Sequence, residues 1–146
     1  MTEERRFLAT MIGGKNDEDI MDFIRTLGGS EPVLELIFAL MPQELDAAKA
    51  KNCVLGWEIT AEDQTYSYRT EIRNGELTAE RRAPDDAQAT VVIDMPEFLR
   101  IIIEELEAPK EYVLGKFKVR GDLVLAYSIP VLFPFREKGQ VVPTAS

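Results

Sequence analysis

The stretch VLGWEITAEDQTYSYRTEIRNGELTAERR, residues 54–82, changes the spacing of apolar side chains from helical to alternating. Around Trp57, every second residue is apolar, which is typical of a strand with one buried face. Residues 65–72 alternate in the same way, and Asn74-Gly75 predicts a tight hairpin because both residue types tolerate positive φ. The third strand that follows is more polar and is expected to lie near a sheet edge or to have one well-solvated face.

Further strands and helices are indicated towards the C-terminus. Residues 89–94, ATVVID, form a short fourth strand that is expected to extend an antiparallel meander. Asp94 and Glu97 have the spacing of a capping box and predict a helix with one apolar face. Alternation in KFKVRG, residues 116–121, predicts a fifth strand, and Asp122 is expected to cap a last helix.

The first fifty residues have helical patterns. Asp17 or Asp19 is expected to cap one helix, and Ser30 to cap a second. Pro42 is expected to open a third, short helix that ends near Lys51. These helices carry apolar stripes and no chemistry-bearing motif, so we expect them to form core or a lid.

Composition limits the kinds of partner. The chain has 146 residues, enough for one domain, and we expect residues 1–146 to form a single domain. Acidic residues outnumber basic ones 26 to 17, for a net charge of −9. This balance argues against nucleic acid as a partner and against stable attachment to anionic membranes, leaving transient membrane contact at most.

The cysteine and histidine counts limit the chemistry. Cys53 is the one cysteine, so no internal disulfide can form, and a cytoplasmic location is expected. The chain has no histidine, which excludes Ser-His-Asp and Cys-His nucleophiles and imidazole zinc sites. Asp85-Asp86 is expected to be a polar turn, since nothing nearby completes an oxygen cage for a metal. We therefore expect no catalytic residue, no metal and no cofactor.

The apolar run that starts at Leu123 and ends at Phe135 raises the functional question. It is shorter than the roughly 20 apolar residues that a membrane-spanning helix needs, and Pro130 and Pro134 interrupt it. A helix that is apolar on all sides must be covered by more protein, a second subunit or a ligand. Periodicity alone leaves open whether the interior is a filled core or a cavity. If it is a cavity, the expected lining residues are Trp57, Tyr66, Phe98, Ile102, Phe117, Leu125, Ile129 and Phe133.

Residues 89–133 carry an ordered series of features. An acidic residue ends a strand at Asp94, a Phe-Leu pair lies in the next helix, and a Gly-Lys-x-Lys-x-x-Gly-Asp pattern occupies residues 115–122. A Leu-Ala pair and a Leu-Phe end follow at residues 125–126 and 132–133. This order resembles the sterol carrier protein domain, also called the nonspecific lipid-transfer protein domain.

The resemblance implies an α+β fold with a five-stranded, mostly antiparallel sheet covered by helices. It also implies an apolar tunnel for fatty acids, fatty acyl thioesters, sterols or phospholipids. The expected division is an N-terminal helical segment over residues 1–50, a sterol-carrier-like core over 51–133 and a tail over 134–146. The acidic segment EELEAPKEY departs from the family pattern, and beside a tunnel mouth it would disfavour anionic head groups.

The functional hypothesis is non-enzymatic binding and carriage of an apolar lipid. The alternative is an interaction module with a closed apolar core, in which the chain forms a homodimer or binds an enzyme. A third hypothesis, an enzyme using Asp or Glu as base, lacks an inward-pointing acid in the sequence pattern. A tyrosine at 66, 68 or 127 could hydrogen-bond a ligand's polar end. Lys116, Lys118 and Arg120 are expected on a solvated strand face, with attraction of an acidic head group as the alternative.

Overall fold

The alternating stretches form one mixed sheet. The computed structural model describes residues 2–103 and 115–133, and within them five strands pair in the order β3-β2-β1-β4-β5. Three of the four pairings are antiparallel, and the pairing of β1 with β4 is parallel. The strands are β1 (Cys53–Ala61), β2 (Gln64–Arg73), β3 (Glu76–Glu80), β4 (Ala89–Asp94) and β5 (Lys118–Gly121). The expected mostly antiparallel α+β class is confirmed.

Two tight turns join the first three strands. Glu62 and Asp63 connect β1 to β2 with φ of 48° and 69°, and this pairing sets Trp57 opposite Tyr68. Asn74-Gly75 connects β2 to β3 and also has positive φ, as the sequence predicted. Residues in such turns need the left-handed region, which Asn and Gly adopt readily.

The expected four-strand meander is wrong at its last strand. β4 does not lie beside β3; it pairs in parallel with the other edge of β1, where Trp57 lies opposite Val91. The reason is burial, because β4 is apolar and buried along most of its length, whereas β3 is largely polar and exposed. A strand such as β3 tolerates an edge, but β4 needs neighbours on both sides.

The connection from β3 to β4 lies on the face of the sheet away from the helices, here called the outer face. Pro84 contacts the bare backbone of Gly56, where an added Cβ would come within 2.6 Å of the proline ring. Arg69 donates two hydrogen bonds to the carboxylate of Asp86, at 2.8 and 2.7 Å. These bonds lower the pKa of Asp86 to about 2. The predicted Asp85-Asp86 turn therefore holds the crossover in place.

Three N-terminal helices cover part of the other face. Their bounds are α1 (Glu3–Ile12), α2 (Asp17–Thr26) and α3 (Ser30–Glu44). The cap of α2 is Asn16, which accepts from the N–H of Asp19, so neither predicted aspartate is the cap. Ser30 also makes no capping bond, because Gly29 occupies the N-cap position of α3.

Pro42 does not open a separate helix, as the sequence had suggested. It lies inside α3, which ends two residues later at Glu44. A proline near the C-terminal end of a helix removes one backbone hydrogen bond but few turns remain to be disrupted. α3 is therefore one continuous element of 15 residues, long enough to cross the sheet.

The helix α4 (Met95–Ile102) has the predicted start. The Asp94 carboxylate accepts from the N–H of Glu97 at 3.0 Å. Glu97 and Arg100 lie off the apolar face of α4, and both side chains are nevertheless largely buried. The guanidinium of Arg100 lies 2.6 Å from the carboxylate of Asp17, so α2 packs over this face.

The expected last helix is broken in two. α5 (Leu123–Tyr127) begins at its predicted cap, where Asp122 accepts from the N–H of Leu125, and α6 (Ile129–Leu132) follows after Ser128. Residues 104–114 and the predicted tail, residues 134–146, lie outside the described residues. The division into a helical segment, core and tail stays a prediction.

Candidate functional site

A cavity of about 870 Å³ lies between the helix-facing side of the sheet and the helices. Ligand pockets in proteins are typically about 300–1,000 Å³, so this one has the size of a binding site. Its walls come from α1, α3, α4, α5, α6 and the three strands β1, β4 and β5. The side chains of the described residues leave this space unfilled.

The sheet wall is apolar because alternate side chains of each strand point to one face. Trp57, Val91 and Val119 sit in register across β1, β4 and β5 and all line the cavity. The Trp57 indole N–H donates to the hydroxyl of buried Thr70 at 2.9 Å. Because the indole N–H is hydrogen-bonded to Thr70, the ring presents only apolar surface to the cavity.

The helix wall is also apolar. From α3, Val33, Ile37 and Met41 line the cavity at helical spacing. The core behind them is held by Phe38, whose ring stacks on Tyr68 with centroids 4.0 Å apart and lies 5.8 Å from Trp57. The cavity is therefore bordered by a packed aromatic cluster rather than by a loose interior.

The structure brings six of the eight sequence-predicted residues to the cavity. They lie in β1, in α4, directly before β5, in α6 and directly after α6. The six are Trp57, Phe98, Ile102, Phe117, Ile129 and Phe133. That any of them contacts a ligand stays a prediction.

Tyr66 lies away from the cavity. It is on β2, one strand further from the cavity than β1, and its hydroxyl donates to the side chain of Gln64 at 2.9 Å. The guanidinium of Arg81 lies 5.4 Å from the centre of its ring. Among the other tyrosines, Tyr68 is buried against Phe38, and Tyr127 lines the cavity.

Leu125 is the other predicted residue outside the lining. A continuous helix would place residues 125, 129 and 133 on one face, since they are four apart. Ser128 separates α5 from α6, and the lining position in α5 is taken by Ala126 instead. Leu125 is half-buried and packs against the core.

A buried ion pair marks a polar side of the cavity, and the sequence patterns did not reveal it. The guanidinium of Arg5 lies 2.9 Å from the Glu44 carboxylate, and each side chain is less than a tenth exposed. Arg5 also donates to the carbonyls of Ile102 at 2.7 Å and Phe133 at 3.2 Å. One side chain of α1 thus joins the ends of α3, α4 and α6.

The protonation of Glu44 follows from these contacts. Burial raises its pKa, but hydrogen bonds from Thr2 and Arg5 outweigh burial and leave the pKa below its ordinary value. The sequence pattern showed no acid facing the apolar interior. Glu44 is such an acid, and its lowered pKa keeps it ionised. A general base near neutral pH needs a raised pKa, so Glu44 does not fit that role.

Some of the apolar side chains that line the cavity are also exposed to solvent. Phe7, Leu27 and Leu36 all line it, and each is about half exposed, at 52%, 45% and 50%. These positions lie in the N-terminal helical region, which the sequence had assigned only to core or lid. The N-cap Thr2, with Leu8 and Ile12 one turn apart, is the signal that could have identified α1.

Two findings concern other kinds of site. In the described ranges 2–103 and 115–133, no helix is both long and apolar enough to cross a bilayer. Within the same ranges, no group of three or more His, Cys, Asp or Glu side chains could hold a metal ion. Cys53 is buried, which raises the pKa of its thiol.

Comparison with known families and structures supports the fold. The family described as alkyl sulfatase C-terminal matches residues 31–133, more than half of the chain. The stereoselective inverting sec-alkylsulfatase Pisa1 from Pseudomonas sp. is 27% identical with a TM-score of 0.60, and the match covers 74% of this chain and 17% of that one. This chain thus spans less than a fifth of the length of Pisa1. No curated protein matches.

Sterol carrier proteins are similar over nearly their full length. Sterol carrier protein 2 from Yarrowia lipolytica is 19% identical with a TM-score of 0.53, covering 64% of this chain and 84% of that one. Sterol carrier protein 2 from Aedes aegypti, solved with palmitate, is 19% identical with a TM-score of 0.54, covering 69% and 94%. The predicted sterol-carrier-like fold is confirmed.

Proposed function

The chain belongs to the alkyl sulfatase C-terminal family, and from that premise we propose that it binds and carries an apolar lipid without reacting with it. The ligand is a fatty acid, fatty acyl thioester or sterol, held between the sheet and the helices. The proposed contacts are the six predicted residues that line the cavity. No cofactor takes part.

The cavity is the observation that carries this proposal. Its 870 Å³ are walled by aromatic and aliphatic side chains, with a few polar groups on one side. Burial of apolar surface stabilises a bound ligand by about 25 cal/mol per Å², or about 0.8 kcal/mol per methylene. Because this force has no preferred direction, we expect loose selectivity among chains of similar length.

The relatives support an alkyl ligand. The Aedes aegypti carrier was solved with palmitate, a C16 fatty acid, and Pisa1 is named for its action on secondary alkyl sulfates. Both compounds carry an alkyl chain of the kind the cavity could bury. The absence of histidine from the sequence supports a carrier over an enzyme, since acid–base chemistry would depend on other groups.

One observation favours the interaction module as a second candidate. Val124 and Val131 in the last two helices are 80% and 51% exposed. Such side chains could pair two copies of the chain, giving a homodimer. A closed core is part of that alternative, and the cavity argues against it.

The setting of the carrier follows from composition and is likewise proposed. A chain with one cysteine and a net charge of −9 fits the cytoplasm, with at most transient contact with membranes and none with nucleic acid. In this setting a carrier exchanges its ligand with a lipid surface and does not remain on it.

Native mass spectrometry of delipidated protein mixed with an apolar ligand such as decanol tests the proposal. We expect a one-to-one adduct. Val119→Trp fills the cavity from β5, since Val119 lines it, and should abolish the adduct. Val92→Trp adds the same bulk on the outer face of β4 and should keep it. A dimer without added mass, or equal adducts in all three proteins, would contradict the carrier proposal.

A further inference from the structure

We propose that the cavity discriminates against anionic head groups and selects amphiphiles whose polar end carries no negative charge, such as alcohols, esters and sterols. This inference rests on the proposed lipid-binding function and narrows its ligand class. Free fatty acids and alkyl sulfates would then bind more weakly than uncharged amphiphiles with the same alkyl chain. The charged groups that line the cavity carry the argument.

Two carboxylates from the first turn of α1 lie at the cavity. Glu3 and Glu4 open α1, line the cavity and are exposed to solvent. Acidic residues in a first helical turn stabilise the helix, because they offset the partial positive charge of its N–H groups. The same charges would repel a carboxylate or sulfate placed among them.

Among the described residues that line the cavity, Arg5 is the basic one, and its guanidinium is already paired. Arg5 lies 2.9 Å from the Glu44 carboxylate and donates to the Ile102 and Phe133 carbonyls. An anionic head group would have to displace Glu44, which would then be a buried charge without its partner. Leaving a buried charge unpaired is strongly unfavourable, so Arg5 does not serve as an anion receptor.

The remaining basic residues of the fifth-strand motif lie elsewhere. Lys118 and Arg120 alternate with Val119, so they point away from the cavity that Val119 lines. The guanidinium of Arg120 lies 2.8 Å from the carboxylate of Glu58 on the outer face. Lys116 is exposed and also does not line the cavity. Attraction of an acidic head group by this motif is therefore not favoured by its position.

Paired ligands with the same alkyl chain test the inference. Decanol and decyl sulfate, each below its critical micelle concentration, compete with a neutral fluorescent probe for delipidated protein. At low salt we expect decyl sulfate to bind about tenfold more weakly, since two nearby carboxylates each oppose it by several-fold. Sodium chloride at 0.5 M should narrow the gap, because screening acts on exposed charges.

Charge variants locate the effect. Glu3→Gln with Glu4→Gln should bring decyl sulfate to within about threefold of decanol. The control is Glu18→Gln with Asp19→Asn, which removes two first-turn acids of α2 that do not line the cavity. In that control, decyl sulfate should still bind several-fold more weakly than decanol.

The outcomes separate the two proposals. If neither compound binds, the carrier function itself is wrong. If decyl sulfate binds wild-type protein as tightly as decanol, the head-group inference is wrong and the carrier function stands. A gap that both double variants reduce equally would also overturn the inference, because net charge rather than the cavity mouth would then explain it.

Discussion

Gly56 is the position where two parts of the chain come closest on the outer face of the sheet. Pro84 from the β3–β4 connection lies against its backbone, and the Thr90 hydroxyl is beside it. This contact lets the connection cross the sheet to the far side of β1. The parallel β1–β4 pairing, and with it one wall of the cavity, depends on that crossing.

Gly56→Ala should therefore destabilise the fold. The new methyl group would lie 2.5 Å from Thr90 Oγ1 and 2.6 Å from Pro84, so the connection must move. Overpacking of this kind costs about 1–3 kcal/mol, measurable as a fall in the urea midpoint.

Gly13→Ala is a matched control. Gly13 has an ordinary φ of −55° and is exposed, so its substitution should change the free energy of unfolding little. Equal stability of the Gly56→Ala and Gly13→Ala proteins would show that the crossover does not need the close approach at Gly56.

At the scale of elements, α1 is held by the polar junction at Arg5 together with the buried Leu8 and Ile12. Arg5 hydrogen-bonds Glu44, Ile102 and Phe133. Glu44 ends α3, Ile102 ends α4, and Phe133 directly follows α6. We expect this junction to set how firmly α1 closes the side of the cavity.

A double-mutant cycle on Arg5→Met and Glu44→Leu measures that junction. Each single change leaves a buried charge without its partner and should lower the free energy of unfolding by about 3 kcal/mol. The double variant should lose clearly less than the sum of the two, and hydrogen exchange should rise in α1 for the single variants.

Arg25→Met is the control for the cycle. Arg25 pairs with Glu62 at 2.7 Å, but both side chains are about half exposed. Exposed pairs contribute about 0–1 kcal/mol, so this variant should remain near wild type. Additive single effects at Arg5 and Glu44 would contradict the junction we describe.

The elements that local signals specify were predictable. The capping pair Asp94 and Glu97 spans only four residues and marks the start of α4. The dipeptide Asn74-Gly75 marks the second hairpin in the same local way. The break at Ser128 was missed because residues 123–133 form one apolar run, with only Pro130 as a hint. A helix that breaks after one and a half turns does so because of what its faces pack against. The local sequence of the apolar run does not contain that information.

At the scale of the whole molecule, long-range partners were the part that sequence patterns could not supply. β4 and the third strand are adjacent in the chain, yet β4 pairs with β1, about 34 residues away by the register of Leu55 with Ala89. Likewise Arg5 and Glu44 are 39 residues apart and share no motif. Alternation shows which side chains face inward, but it does not show whether the interior is full.

The cavity is the central claim at this scale. Sheet and helices border a largely apolar cavity of about 870 Å³, and six residues expected at a ligand site line it. Tyr66, which the same alternation put among the lining residues, lies on β2 outside the lining and serves as an internal reference.

Isotope-filtered NOE spectroscopy on ¹³C-labelled, delipidated protein with unlabelled decanol tests this claim most directly. The account predicts cross-peaks from the alkyl chain to Trp57, Phe98 and Ile102, and none to Tyr66. Cross-peaks confined to the exposed valines at 124 and 131, or none at saturating ligand, would contradict it.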